Sequence, residues 1–274
     1  MSFCKYITPT AAFAVLVSAG VAKADPWVPA AGDGNAKVMV RLFDANRAYP
    51  STGFGTSTIP ASKQNETQLR ITGVQGIGHG FSIEYDLRAG RKQDRTSKHN
   101  MTTSHTAAGL EDQEVGLNYG LIQSPLEALS LTMNAVIPTG SSHSNPALGT
   151  GHLAVEPDIQ AGFKTGPFTF TGEFGGRVFT DSGVTQLRVT LYAGWRILPR
   201  LTVFGTGFGS RTLQNAASLQ RTDQSEVYNI VRVGGGAEFK LTSWLRPYIE
   251  YEHTIAGQGI HAGDRITIGA SVVF

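Results

Sequence analysis

The sequence predicts an all-β protein: a transmembrane antiparallel β-barrel of 12 strands with short periplasmic turns and long extracellular loops. Three observations point there. Apolar and polar residues alternate in segments of about ten residues, the period of a strand with one apolar and one polar face. The connections between these segments are alternately short and long. The N-terminus carries the pattern of an export signal, and no later stretch stays apolar for the roughly 20 residues that a membrane helix needs.

The elements follow in chain order. In residues 1–24, Lys5 precedes an apolar run from Ala11 to Ala22, and Ala22-Lys23-Ala24 gives a small-residue cleavage site. That run is too short to cross a bilayer. Residues 1–24 are therefore read as a cleaved signal peptide, 25–35 as a periplasmic N-terminal segment and 36–274 as one barrel. The strands begin with "AKVMVRLF" (36–43), "TQLRITGVQ" (67–75), "GFSIEYDLRAG" (80–90) and "EVGLNYGLI" (114–122). Next come "ALSLTMNAVIP" (128–138), "HLAVEPDIQAGF" (152–163), "PFTFTGEFGGRVF" (167–179) and "TQLRVTLYAGWRI" (185–197). "RLTVFGTGFGS" (200–210), "VRVGGGAEFK" (231–240), "LRPYIEYEHT" (245–254) and "RITIGASVVF" (265–274) complete the twelve.

Short connections are expected at 76–80, 123–127, 164–167, 198–200 and 241–244, and long polar loops at 46–65, 91–110, 139–151, 211–224 and 256–263. A shorter member of the second set lies at 180–184. Twelve strands bring both ends of the barrel to the short-turn side, the periplasm. The last strand alternates strictly apart from Val273. It would set Ile266, Ile268, Ala270, Val272 and Phe274 against lipid. A C-terminal strand with a final aromatic also resembles the signal read by the outer-membrane assembly machinery. That machinery and the outer-membrane lipids are the expected partners, and the bacterial outer membrane is the expected location.

A soluble β-sandwich or lipocalin-like barrel alternates too, with its apolar rows on a shared core. The polar rows separate the readings. Glu84-Asp86-Arg88 runs beside Ile83-Tyr85-Leu87, Glu156-Asp158-Gln160 beside Val155-Pro157-Ile159, and Arg188 and Arg196 beside Val189-Leu191-Ala193-Trp195. In an inside-out barrel lipid covers the apolar rows and the charged rows line the lumen. Tyr119, Phe163, Trp195, Phe239, Trp244, Tyr251 and Phe274 are candidates for the interfacial aromatic girdles.

Composition narrows the function. Cys4, the single cysteine, lies in the signal, so the mature chain has no disulfide, thiolate metal site or thiol nucleophile. The signal holds two of the 23 basic residues, Lys5 and Lys23, and none of the 21 acids, leaving 21 of each sign. That balance argues against a nucleic-acid partner.

"ALSLTMNAVIPTG", a polar loop and then "LGTGHLAVEPDIQAGFKTGPFTFTGEFGGRVF" resemble the outer-membrane β-barrel transporters of the meta-pathway phenol degradation family. Pro138, Thr139, Gly140, Leu148, Gly149, Thr150 and Gly151 carry the resemblance, which is clearest over 128–180. It implies uptake of small, aromatic compounds and supplies no catalytic residues.

No constellation suggests catalysis. A hydroxyl and an imidazole two apart on a strand would share a face, but His143 and Ser144 are adjacent and sit in a loop before Pro146. The remaining mature histidines form no metal-ligand set, and "GVQGIGHG" leads into a strand rather than a helix, so it reads as a turn. We therefore expect no enzyme activity, metal or cofactor.

The lumen rows carry the informative chemistry. Glu84, Asp86, Asp112, Glu114, Glu156, Asp158 and Glu173 come from earlier strands, and Arg177, Arg188, Arg196, Arg232, Arg246 and Arg265 from later ones. Arg41, Arg70, Arg88, Glu238, Glu250 and Glu252 break the segregation. Either acidic and basic walls face each other across a wet channel, or the charges pair between strands and close it. Twelve strands leave little room, which favours a restricted passage. The expected function is a narrow channel or transporter for a small solute, aromatic or polar. The alternative is a non-conducting structural or accessory barrel serving envelope integrity or surface-polymer export.

Overall fold

The computed structural model describes residues 25–98, 101–214 and 227–274; the signal-peptide reading of residues 1–24 lies outside them. Thirteen strands are formed: β1 (Gly34–Ala48), β2 (Ile59–Gly78), β3 (Phe81–Lys98), β4 (Met101–Leu110), β5 (Gln113–Gln123), β6 (Glu127–Ile137), β7 (Ala154–Thr165), β8 (Phe168–Phe179), β9 (Thr185–Leu198), β10 (Leu201–Thr212), β11 (Asn229–Phe239), β12 (Leu245–Gln258) and β13 (His261–Val273). They make one antiparallel sheet in the order β2-β1-β13-β12-β11-β10-β9-β8-β7-β6-β5-β3-β4, which the β2–β3 pairing closes into a barrel. Closure removes the edges of the wall, so no backbone donor row there is left facing lipid; β4 pairs with β3 alone.

The wall itself has twelve strands. The inner half of β3 pairs with β5, from Phe81↔Tyr119 to Asp86↔Glu114, and its outer half pairs with β4, from Ala89↔Leu110 to Lys98↔Met101. β4 and β5 are thus successive parts of one wall strand, interrupted at Glu111–Asp112. At the interruption a side chain replaces the missing rung. The Gln113 amide donates to the Arg88 carbonyl and its Oε1 accepts from the Arg88 N–H, both at 2.8 Å.

The twelve expected strands are all present, but three expected loops are corrected. Residues 91–98 and 101–110 extend the paired β3 and β4 strands instead of forming a loop. Their sequence is polar on both faces, as suits a ladder projecting beyond the apolar band into water. β1 runs to Ala48 and β2 starts at Ile59, so the first loop spans only 49–58. β12 and β13 are joined by just Gly259–Ile260. Polar strands that leave the membrane have no hydrophobic contrast, and periodicity cannot mark where they end.

Burial alternates as an inside-out barrel requires. Leu87, Leu117, Leu131, Leu191 and Ile268 point outward and are exposed, whereas Glu84, Asp86, Glu114, Glu156 and Asp158 are buried within the barrel. Leu191 is 54% exposed and Glu156 1%, the reverse of a soluble core. Near the long-loop rim the inner face turns apolar. Val136, Ala154, Phe179 and Val184 pack together there.

Outward aromatics gather at the short-turn end. Phe168 stacks on Trp195 at 5.9 Å, Phe81 lies 4.7 Å from Tyr119, and Phe163, Phe239, Trp244 and Phe274 are exposed beside them near strand ends. Tyr251 departs from this set. It lies mid-strand in β12 and donates to Asp264 at 2.7 Å, a carboxylate that also lies 2.6 Å from His253 Nδ1.

Candidate channel lumen

Strand parity delivers alternate side chains to the interior, and β2, β3, β5, β7, β8 and β9 deliver charges of opposite sign at one height. Arg70 holds Asp86 with Nε and Nη2, and Arg88 bonds the same carboxylate and reaches Glu114 at 2.9 Å. Glu114 accepts from Arg177 at 2.5 Å. Arg177 Nε donates to Glu156 at 2.6 Å, and Glu156 binds Arg188 with both oxygens at 2.6 and 2.7 Å. The result is one chain of alternating sign, Arg70–Asp86–Arg88–Glu114–Arg177–Glu156–Arg188. Its Glu114–Arg177 link spans from β5 to β8. Charge-assisted bonds of this length are the strong class. At this level, then, the charges pair between strands rather than face each other across open water.

A second layer, nearer the short turns, mixes carboxylates with amides. Asn118 donates to Glu84 at 2.9 Å, Asn134 to Asp158 at 2.8 Å, and Gln160 to Glu173 at 3.1 Å. Reasoning from charge alone missed Asn118 and Asn134, while Gln160 stands in the expected polar row with Glu156 and Asp158. The inward parity of the two asparagines in "GLNYG" and "TMNAV" was the available signal. Glu156, Asp158 and Glu173 bring carboxylate oxygens within 4.8 Å of one another. Arginine and amide donors already hold each of the three carboxylates: Arg177 and Arg188 on Glu156, Asn134 on Asp158 Oδ2 and Gln160 on Glu173 Oε2.

The wall made by β10–β13 and β1 is different. Tyr192 of β9 and Phe204 stack at 5.7 Å, and Tyr248 donates to Met39 Sδ at 3.3 Å, giving an aromatic lining. Its charges are loosely held. Glu252 lies 4.0 Å from Arg232 and 3.6 Å from Arg265, Arg246 lies 3.9 Å from Glu238, and Glu250 accepts from Thr206 at 2.8 Å. Arg41 makes no ion pair or hydrogen bond among the described residues, and its Nε is buried without a partner. Arg196 is exposed near the short-turn end of β9, apart from all of these.

Between the walls lies a cavity of about 600 Å³ on the long-loop side, lined by Arg41, Phe43, Arg70, Phe208, Ile230 and Glu252 among others, with Pro146 and Ala147 over it. The loop carrying those two residues is the one that bears the family-like motif. Asp112, at the β4–β5 interruption, organises it. Its carboxylate accepts from the N–H of Gly140 at 3.1 Å, the N–H of Thr150 at 2.8 Å and the Thr150 hydroxyl at 2.9 Å, while Thr139 donates to the Glu111 carbonyl at 2.6 Å. A Cβ on Gly149 would come within 2.2 Å of the Asp112 carboxylate, so the close approach requires glycine. Leu148 is buried beneath. Pro138, Gly151 and the rest of the motif therefore shape a loop over the cavity and touch no lumen charge other than Asp112. His143 is exposed on this loop, and Ser144 Oγ lies 3.0 Å from the Ser141 and Pro146 carbonyls rather than on the imidazole.

At the short-turn end residues 25–33 cross the barrel mouth. The Trp27 indole donates to the Ser124 carbonyl at 2.9 Å, Gln123 bonds the backbone of Pro26 and Val28, and Gly32 donates to Gly76. The Trp27 ring sits where a Cβ of Gly162 would be, 2.5 Å away, with the Lys164 ammonium 3.6 Å from its centre. Burial in the mouth pushes the Asp25 carboxyl above its ordinary range, opposed by Lys37 and Lys164.

Residues 55–268 match the family described as "Putative MetA-pathway of phenol degradation". No curated protein matches the chain. Among solved structures, the fold is similar to an outer membrane channel from Pseudomonas putida F1, with 13% identity and a TM-score of 0.66, covering 91% of this chain and 98% of that one. It is also similar to the NanC porin, with 15% identity and a TM-score of 0.52 over 86% and 98% of the two chains. The translocator domain of the autotransporter NalP from Neisseria meningitidis follows, with 10% identity and a TM-score of 0.50 over 88% of each chain.

Proposed function

This chain belongs to the family described as "Putative MetA-pathway of phenol degradation", and on that premise we propose that it is a narrow channel of the bacterial outer membrane for a small solute. One observation carries the reading. The cavity of about 600 Å³ opens inside a closed barrel whose floor, among the described residues, is a side-chain ion chain instead of a packed apolar core or a folded plug domain. Side chains can re-pair as a solute passes, and rings of charge select among solutes in known pores. The similarity in fold to an outer membrane channel and a porin supports the reading. Lipid contacts for the apolar exterior, and recognition of the Phe274-ended strand by the assembly machinery, belong to the same proposal. Purified protein in planar bilayers should give small conductance steps that scale with salt. A folded, heat-modifiable barrel with no current above background would instead favour the accessory barrel.

A further inference from the structure

The long-loop vestibule holds one guanidinium, that of Arg41, with no ion pair or hydrogen bond among the described residues. Arg41 of β1 lies opposite Gln68 of β2 and Thr267 of β13. Its diagonal neighbours on the same face that carry charge are therefore Arg70 and Glu66 on β2 and Arg265 on β13, two cations and one carboxylate, and Arg41 forms an ion pair with none of them. Arg70 is tied to Asp86, but the one ion pair of Arg265 among the described residues is with Glu252 at 3.6 Å, which it shares with Arg232 at 4.0 Å, and Glu66 stands farther off. The Nε of Arg41 and the Oε2 of Glu252 are both buried without a hydrogen bond among the described residues. Arg188 Nε and Arg246 Nε share this state, but those guanidiniums each have an ion pair and Arg41 has none among the described residues, so Arg41 is the one that calls for a partner. Arginine stays charged, and its planar fork matches a carboxylate.

Apolar surface stands beside these donors. The Phe43 ring lies 5.9 Å from the Arg265 guanidinium carbon, and Phe208 lies 5.3 Å from that of Arg188. Ile230 is buried between them on the cavity wall. A cavity of about 600 Å³ is of the size that encloses a small organic ligand.

We propose that this vestibule binds a small carboxylate with an apolar body, such as an aromatic monoacid, its carboxylate on Arg41 and Arg265 and its ring against Phe208 and Ile230. The inference deepens the channel reading by naming the solute class, and its physiological meaning rests on that reading. A neutral aromatic would leave Arg41 unsatisfied. A bare anion would leave the rings uncovered. Glu252 competes with the ligand for Arg265 and Arg232, so it limits the affinity.

The test is equilibrium binding, measured by calorimetry on the full barrel in lipid nanodiscs, which keeps detergent out of the cavity. Benzoate is the probe, with benzyl alcohol as its neutral shape-match and inorganic phosphate as a compact anion. Benzoate should bind and benzyl alcohol and phosphate should not compete at equal concentration. Arg41→Gln should weaken benzoate about tenfold or more, the loss of a charge-assisted contact. Glu252→Gln should act in the opposite direction and tighten it severalfold. This second variant keeps the proposal open to refutation even where Arg41→Gln fails to fold. Equal competition by benzyl alcohol, equal competition by phosphate, or a benzoate affinity indifferent to Glu252→Gln would each overturn it. Binding without bilayer current would refute the channel and spare the site; current without binding would do the reverse.

Discussion

On the wall from β2 to β9, Arg177 sits between Glu114 and Glu156 at 2.5 Å from each. On the wall from β10 to β1, Arg232 and Arg265 stand 4.0 and 3.6 Å from the one carboxylate they share, and Arg41 has none. Both walls use arginine and glutamate at inward positions of neighbouring strands. They differ in register. On the first wall opposite signs meet at one height, so each ion is compensated by several donors or acceptors. On the second, Arg41 and Arg265 fall diagonal to one another, Arg41 also has Arg70 of β2 on its other side, and aromatic rings occupy the remaining room. A satisfied ion chain fixes the shape of the lumen, whereas unsatisfied donors beside apolar surface form a place for a ligand. The same residue types thus build scaffold on one side and site on the other.

The largest test of this contrast is stability. Glu156→Ala should leave Arg177 and Arg188 without their shared carboxylate and cost about 3 kcal/mol, the low end for breaking a buried pair. Glu252→Ala should cost no more than about 1 kcal/mol, in the range of weakly coupled pairs. Reversible urea unfolding from lipid vesicles measures both. Equal losses would erase the distinction between the walls.

A second, smaller effect concerns the N-terminal segment, whose anchors Gln123, Ser124, Gly162 and Lys164 all lie on the ion-paired wall. Trp27→Ala removes the indole hydrogen bond and the ring over Gly162. Single-channel current should rise, while the urea midpoint should change little because the barrel wall is untouched. An unchanged current would locate the narrowest point at the ion chain instead.

The smallest expected effect is on pH. Burial raises the Asp25 carboxyl above its free value, so the seated segment takes up its proton more readily than the released one. Seating is therefore disfavoured above the seated-state value and strengthens as pH falls through it. Current should decline modestly on acidification from neutral pH, and Asp25→Asn should remove that dependence. A current that rises with acid, with the dependence intact in Asp25→Asn, would assign the titration to another group.

Much of this was legible in the chain. "GFSIEYDLRAG" announces its strand, its lipid row and its lumen row at once, because a strand's two faces are set by the backbone and by nothing remote. "RKQDRTSK" and "MTTSHTAA" announce nothing comparable. Outside the apolar band no contrast between faces exists, and their hairpin was read as a loop. The Pro138-Thr139-Gly140 and Leu148–Gly151 motif was visible as a pattern, but its anchor Asp112 lies 26 residues before the motif begins and reads locally as one more acid.

The sequence by itself determined the strands, their number in the wall and which side chains face in. Those properties depend on a two-residue period and on hydrophobic contrast, both local. Only the tertiary structure decided which charges meet. Glu114 and Arg177 are 63 residues apart and are joined because closure of β1 on β13 curves the sheet until non-adjacent strands face each other. Closure likewise placed Trp27 under Gly162, and left Arg41 between the uncharged Gln68 and Thr267 with no ion pair among the described residues. Pairing depends on stagger and curvature across the whole barrel, and no stretch of chain encodes them alone.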